Sequence, residues 1–292
     1  MKEHKKPNLM SFPAPFVRAL ENDRYNAGDS KFTVTGLISP PQRTWLAMHN
    51  EKHEDPYSKF LALLGTAVHK ILEENVDESL GEFAERRMFM DVSMGGVDFK
   101  VSGQIDFYEP TTVFDYKITG GVVDRMKPEH YHQVQMNAYL AVKNGVRVDN
   151  VGVVYVQRDW SHLQSTLNPG YPQTPFKIFI HPYEEKEAIH DFGVTIADHF
   201  AASLGNPREC TADEQWAKPD TYALMKPLAK RASKVCASYA EAETEKKPGQ
   251  FIQVRKGDRL YCDSFCGFGY CCPQHQKYLY EKSQEKSGDE LL

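Results

Sequence analysis

Two carboxylates and a lysine fall close together in the middle of the chain. Asp106 is followed by Asp115-Tyr116-Lys117, and His69 precedes them all. On a strand, residues two apart point to the same face, so Asp115 and Lys117 would act together. Asp106, near the end of the preceding strand, could join them from a neighbouring strand. Hard divalent cations such as Mg²⁺ and Mn²⁺ take oxygen ligands of this kind. A cation beside a lysine suits phosphodiester hydrolysis, where a water must become nucleophilic and developing negative charge must be relieved. Lys117 would orient that water or stabilise the charge. His69 offers an imidazole as a further ligand, and the backbone carbonyl of Tyr116 or of Ile118 could supply another. Gln135 and Tyr139 are four apart and share a helix face. There they could hold a phosphate or support the metal ligands.

Taken singly, each residue also has an ordinary structural role. His69 could cap a helix or sit in a core, Gln135 and Tyr139 could form a half-buried helix face, and Asp115 could pair with Lys117. Asp115 is the hardest to set aside, because VFDYKI is otherwise an apolar strand and burying unpaired charge is costly.

The elements that must position these groups can be read from periodicity and breakers. Phe60, Leu61, Leu64, Val68, Ile71 and Leu72 recur at helical spacing, which predicts a helix over 57–76 carrying His69. Gly65 within it suggests close packing or the approach of a ligand. Strands are predicted over 83–92 and 97–108, with Gly95-Gly96 as the turn between them, and over 113–118 after the break at Glu109-Pro110. A helix over 128–143 ends at Asn144-Gly145, and 151–157 is a buried strand. Helix, three strands, helix, strand implies an α/β fold with a mixed central sheet flanked by helices. Further on, the pattern predicts a loop over 163–175, a strand over 176–180 and helices over 182–204 and 222–240. A polar connector spans 243–249, and a frayed tail runs over 281–292. A short helix from about Gln42 follows the Pro40-Pro41 break, and the N-terminal lead-in becomes ordered near Phe16. The chain divides into a lead-in and helix (1–56), a core (57–181) and a C-terminal helical, Cys-rich extension (182–292).

In order, the sequence shows Gly65-x-x-x-His69, Gly103-x-x-Asp106, Asp115-x-Lys117 and Gln135-x-x-x-Tyr139. This set resembles the RecB-like branch of the PD-(D/E)XK nucleases, phage-type and CRISPR-associated exonucleases among them. The resemblance spans Gly65–Tyr139, and the order of elements is that of the family's core. It implies a restriction-endonuclease-like fold, metal ligation by His69, Asp106 and Asp115, and Lys117 as the catalytic lysine. It further implies a Mg²⁺- or Mn²⁺-dependent DNA exonuclease acting in recombination, repair or replication. The competing expectations are a structure-specific endonuclease of the same fold, a fold kept for DNA binding without cleavage, and a metal-stabilised interaction protein in which the DxK match is accidental.

Six cysteines occur, four of them within eleven residues: Cys262, Cys266, Cys271 and Cys272. Clustering without a secretory signal favours metal binding in a reducing compartment over a disulfide framework. The spacing is similar to the C-terminal cysteine trio of iron–sulfur RecB-like nucleases. In those a fourth cysteine lies upstream of the GxxxH helix, beside a Cys-Pro-Arg motif. This chain has Ser39-Pro40-Pro41-Gln42-Arg43 there and no cysteine before Cys210. Three arrangements remain: all four clustered cysteines on one metal, three of them with His275 as a Cys₃His zinc site, or buried free thiols. Cys210 and Cys236 are expected to be core residues.

Net charge is −5 over 292 residues, which gives no support to a general polyanion binder. Basic groups need only cluster locally. Lys226, Lys230, Arg231 and Lys234 recur at helical spacing, and Arg255, Lys256 and Arg259 lie near Phe251, Tyr261 and Phe265. Basic groups beside aromatic rings suit a single-strand path. Together with the resemblance, which implies DNA with free ends and recombination or replication proteins as partners, these groups make single-stranded DNA an expected partner. No apolar run is long enough to span a membrane, and the lysine-rich start lacks a signal-peptide apolar run. The expected location is a bacterial or phage-infected cytoplasm.

Overall fold

The computed structural model describes residues 13–21, 27–52 and 59–287. Packing groups the chain into two compact units, Met1–Ile38 with Glu54–Phe200, and Ser39–His53 with Ala201–Leu292.

The first unit is built on a six-stranded mixed sheet. Strand β3 (Val97–Glu109) is its long member. β2 (Phe83–Met94) pairs antiparallel along its whole length, from Met94 opposite Val97 to Phe83 opposite Tyr108. The Gly95-Gly96 turn sets that register, since both glycines take positive φ, which costs a glycine nothing. β3 also pairs with β1 (Phe32–Thr33) in parallel and with the start of β4 (Thr112–Thr119) antiparallel. β4 then runs parallel to β5 (Asn150–Gln157), which pairs antiparallel with β6 (Phe176–Pro182).

A parallel β4–β5 pair needs a crossover, and α5 (Pro128–Lys143) supplies it. Proline at its first turn is preorganised for the helix, and Gly145, at φ 82°, follows its end. Eight α5 residues are buried, Val134, Met136, Ala138, Leu140 and Ala141 among them. They pack with Val101, Ile105, Val113, Val151 and Val153 of the sheet. Gly103 allows the contact, because a Cβ there would collide with Asn137 Oδ1 and Leu140 of α5. α7 (Glu185–Ser203) adds Phe192, Ile196 and Phe200 to this core.

Other elements of this unit are α1 (Ala14–Glu21), α2 (Val34–Leu37), α4 (Phe60–Glu73) and α6 (His162–Leu167). α6 occupies part of the predicted loop, started by Ser161, whose hydroxyl accepts from Gln164 N. α4 is the predicted helix, with Tyr57 and Ser58 outside the described residues. Its periodicity does not mark a buried face, since none of its residues is buried and Ile71 is 61% exposed. Close packing is not the reason for Gly65 either, because a Cβ there would meet nothing within 4 Å.

The second unit contains α3 (Pro41–His49) and a three-stranded antiparallel sheet. That sheet comprises β7 (Thr221–Met225), flanked by β8 (Lys234–Cys236) and β9 (Phe251–Arg255). These strands replace the helix expected over 222–240. Pro227 explains the correction: it has no N–H for a helix interior and its ring clashes with the preceding turn. The chain turns there instead, with Leu228 at φ 62°. α8 (Tyr239–Glu245) takes the first part of the expected connector. α9 (Leu260–Ser264) and α10 (Pro273–Ser287) complete the unit, so the expected frayed tail is helical as far as Ser287. Among the described residues no helix is long and apolar enough to cross a membrane.

Candidate metal centre and its surroundings

Three elements of the first unit bring three metal-ligating side chains together. α4 carries His69, β2 carries Glu85 and β3 carries Asp106. One ligand atom from each lies within 4.8 Å of the other two. His69 Nδ1 is 3.0 Å from Glu85 Oε1, and its Nε2 is 3.7 Å from Asp106 Oδ2 and 3.4 Å from the Tyr116 carbonyl oxygen. Asp106 Oδ2 accepts from Tyr116 N at 2.8 Å, and Glu85 Oε2 accepts from the Gln104 side-chain amide.

Glu85 is absent from the expected set. Its signal was available in the hairpin. A two-residue turn at Gly95-Gly96 fixes the pairs Ala84–Phe107 and Arg86–Ile105, which leaves Glu85 across from Asp106. Glu85 also holds φ at 48°, a left-handed conformation uncommon for a residue with a side chain. Strain of this kind concentrates at functional sites.

Asp115 and Lys117 stand on the next strand, as predicted, with Lys117 Nζ 2.7 Å from Asp115 Oδ2. Asp115 is 1% exposed, and neither of its oxygens accepts a well-aligned hydrogen bond. It repels Asp106 but lies outside the three-residue group.

The titration behaviour follows from this crowding. Burial, then the negative charge of Asp115, pushes Asp106 up to about 7, against the opposing pull of His69 and Lys117. Burial works against a charge on His69. The Glu85 hydrogen bond, the charges of Asp106 and Glu85 and the Tyr116 carbonyl together outweigh it and raise His69 to about 9. The chain has thus gathered negative charge where a proton, or a cation in its place, is favoured. The buried carboxylate without hydrogen bonds and the mixed nitrogen and oxygen donors fit a divalent ion.

Gln135 and Tyr139 stand on α5. Gln135 is fully buried, donating from Nε2 to the Pro182 carbonyl and accepting on Oε1 from Glu184 N, so it pins the end of β6 to the start of α7. That pin accounts for α7 starting at Glu185 rather than at Pro182. Tyr139 packs against Phe192, with ring centroids 5.6 Å apart, and under Lys143. Another residue unforeseen near Lys117 is His130 of α5. It is pushed down to about 3 by burial and by Lys117 and Lys127, and its Nδ1 lies 2.8 Å from Tyr155 Oη.

In the second unit the basic residues do not form a helical face. Lys226, Lys230 and Arg231 lie on the β7–β8 connection. Lys234 pairs with Glu241 and Glu245, at 3.3 Å each. Arg255 hydrogen-bonds to Gln253, Lys256 pairs with Asp220, and Arg259 donates to the Lys218 and Gly257 carbonyls over the Tyr278 ring. Cys262, Cys266 and Cys272 line one cavity together with Cys210, which is not the plain core residue expected. Cys271 is not on the lining of this cavity, and its thiol donates to the Phe268 carbonyl. Cys236 packs in the small sheet's core, as expected.

No protein-family model and no curated protein matches the sequence. Two of the solved structures to which it is similar stand at low identity. The crystal structure of SSO0001 is 17% identical, covering 62% of this chain and 83% of its own, with a TM-score of 0.43. A "Putative exonuclease" from Eubacterium rectale is 13% identical, covering 57% of this chain and 63% of its own, with a TM-score of 0.30.

Proposed function

We propose that this chain is a Mg²⁺- or Mn²⁺-dependent DNA exonuclease, serving recombination, repair or replication in a bacterial or phage-infected cytoplasm. The observation that carries the reading is the convergence of His69, Glu85 and Asp106 beside the buried Asp115–Lys117 pair. The motif order that resembles RecB-like nucleases supports DNA as the substrate.

His69, Glu85 and Asp106 would hold the cation, with Asp115 beside them. When bound, a divalent cation supplies charge stabilisation at the phosphate and lowers the pKa of a water. The chain's own residues do the rest. Lys117 holds a positive charge at the edge of the site, where it can orient the attacking water or offset charge on the phosphate oxygens. Asp115 keeps that ammonium in place. Glu85, bonded to His69 Nδ1, leaves Nε2 facing Asp106, the orientation a ligand ring requires.

The test is digestion of 5′- and 3′-labelled single- and double-stranded DNA with Mg²⁺ or Mn²⁺, against an EDTA control. Metal-dependent release of nucleotides from ends is expected. Internal nicking of closed circles would instead establish an endonuclease, and binding without cleavage in any metal would establish an inactive module.

A further inference from the structure

The cysteine cavity lies wholly within the second unit. Its walls include Cys210, Cys262, Cys266, Cys272, His275 and Arg43. We propose that Cys210, rather than Cys271, completes a four-thiolate site for an iron–sulfur cluster with Cys262, Cys266 and Cys272.

The first argument is position. The segment where similar nucleases carry their upstream cysteine does reach this cavity, through Pro40, Gln42 and Arg43, but brings no thiol. Cys210 arrives at the same walls from a different part of the chain. It is fixed there by Gln274, two residues after Cys272. Cys210 N donates to Gln274 Oε1 and Gln274 Nε2 donates to the Cys210 carbonyl, both at 2.9 Å. Gln215 Nε2 adds a second donor to that carbonyl at 2.8 Å.

The second argument is spacing. Tetrahedral zinc with bonds of about 2.3 Å would draw each pair of thiolates to about 3.8 Å. Among the described residues the one group of three ligand atoms lying within 4.8 Å of each other is His69, Glu85 and Asp106. No three of these thiols lie all within 4.8 Å of one another, so each trio has at least one pair wider than a single ion sets. A cluster, with sulfide bridging several irons, holds its four cysteines further apart and takes this ligand count.

The third argument is the polar lining. His275 is 6% exposed and its Nδ1 has no hydrogen-bond partner, and the buried Arg43 Nε has none either. Hydrogen bonds to the sulfurs are a usual means of tuning a cluster, and the Arg43 Nε–H is a donor on this lining. Burial and the neighbouring Glu214 and thiols push Cys210 up to about 12. Each thiol would release its proton to solvent as an iron–sulfur bond forms, with ferrous iron, ferric iron and sulfide supplied from outside in the two-to-two-to-four ratio of a [4Fe-4S] core, so that no separate oxidant is needed.

The experiment is iron and acid-labile sulfide analysis, with visible absorption and electron paramagnetic resonance, on anaerobically purified protein. Reconstitution with ferrous and ferric iron and sulfide follows where the isolated chain is colourless. Wild type and Cys271→Ser should carry equal cluster, while Cys210→Ser should lose it or keep a species short of one iron. Position-resolved alkylation of wild type needs no variant to fold. Cys271 should label at once, and Cys210 only after a chelator has stripped the iron. Full cluster in Cys210→Ser, equal loss in Cys271→Ser, stoichiometric zinc without iron, early labelling of Cys210, or failure to reconstitute would each overturn the assignment. None of these readouts involves DNA cleavage, so their failure leaves the nuclease reading standing.

Discussion

His69 bonds through Nδ1 to Glu85 Oε1, at 3.0 Å, and turns Nε2 toward Asp106 Oδ2, at 3.7 Å. One glutamate therefore fixes which ring nitrogen faces the candidate centre. Partners of this kind, whether ligands or supports, are each worth about 10–100-fold in metal affinity or activity. Glu85→Gln should raise the Mn²⁺ concentration for half-maximal cleavage by about tenfold or more. The measurement is the metal dependence of cleavage beside direct Mn²⁺ titration. Unchanged metal dependence at normal turnover would remove Glu85 from the site.

Asp115 is buried with Lys117 as its one close cation, 2.7 Å away. Removing one partner of a buried pair strands the other charge and costs about 3–5 kcal/mol. Lys117→Met should therefore abolish cleavage, retain DNA binding and lower stability by about 3 kcal/mol. Asp115→Asn should abolish cleavage at a smaller cost in stability, because the Lys117 side chain left behind is 23% exposed and keeps part of its hydration. The double variant should regain stability without activity. Urea unfolding and binding assays separate these outcomes. A Lys117→Met protein as stable as wild type would show that Asp115 does not depend on it.

His130 gives a pH dependence with a definite sign. Its folded pKa is depressed to about 3 by burial and by Lys117 and Lys127. The unfolded chain therefore binds the extra proton first, and stability falls as pH drops from about 6.5 toward about 3. The slope contributed by one group is at most about 1.4 kcal/mol per pH unit. His130→Gln should flatten the decline, measured by urea unfolding at about pH 7 and about pH 4.5. Identical slopes in both proteins would mean that His130 accepts its proton without cost.

The sequence made the α4–β2–β3–β4–α5–β5 order legible, because long periodic segments were separated by Gly95-Gly96, Pro110 and Asn144-Gly145. It also brought His69 and Asp106 to one place through motif spacing. Glu85 was hidden because a lone glutamate in Glu85-Arg86-Arg87 reads as a solvated strand face, and its meaning lies in a register rather than a motif. Gln135 bonds to the β6–α7 junction and Tyr139 packs on α7, contacts that their spacing does not specify, since spacing fixes a helix face but not which neighbour covers it. Lys226, Lys230, Arg231 and Lys234 do not share a helix face, because Pro227 breaks the helical spacing they suggest. Cys210 could not be found from sequence, for nothing local ties it to residues more than fifty positions later.

The Gln274 clamp on Cys210 yields the last prediction. Gln274→Ala leaves all four thiols in place but removes the donor and acceptor that hold the Cys210 backbone. Each such bond contributes about 1 kcal/mol net, enough to loosen a ligand without unfolding the unit. A cluster should still assemble, but chelator should strip its iron about tenfold faster than from wild type, by the conversion of about 1.4 kcal/mol to a factor of ten. Gln274→Glu keeps the acceptor for Cys210 N and loses the donor to its carbonyl, so its bleaching rate should fall between the two. Visible absorption followed over time with an iron chelator reads all three rates. Equal rates would show that Cys210 is held by the metal alone, or is not a ligand. The Cys210→Ser iron content decides between those two, because a true ligand cannot be lost without loss of iron.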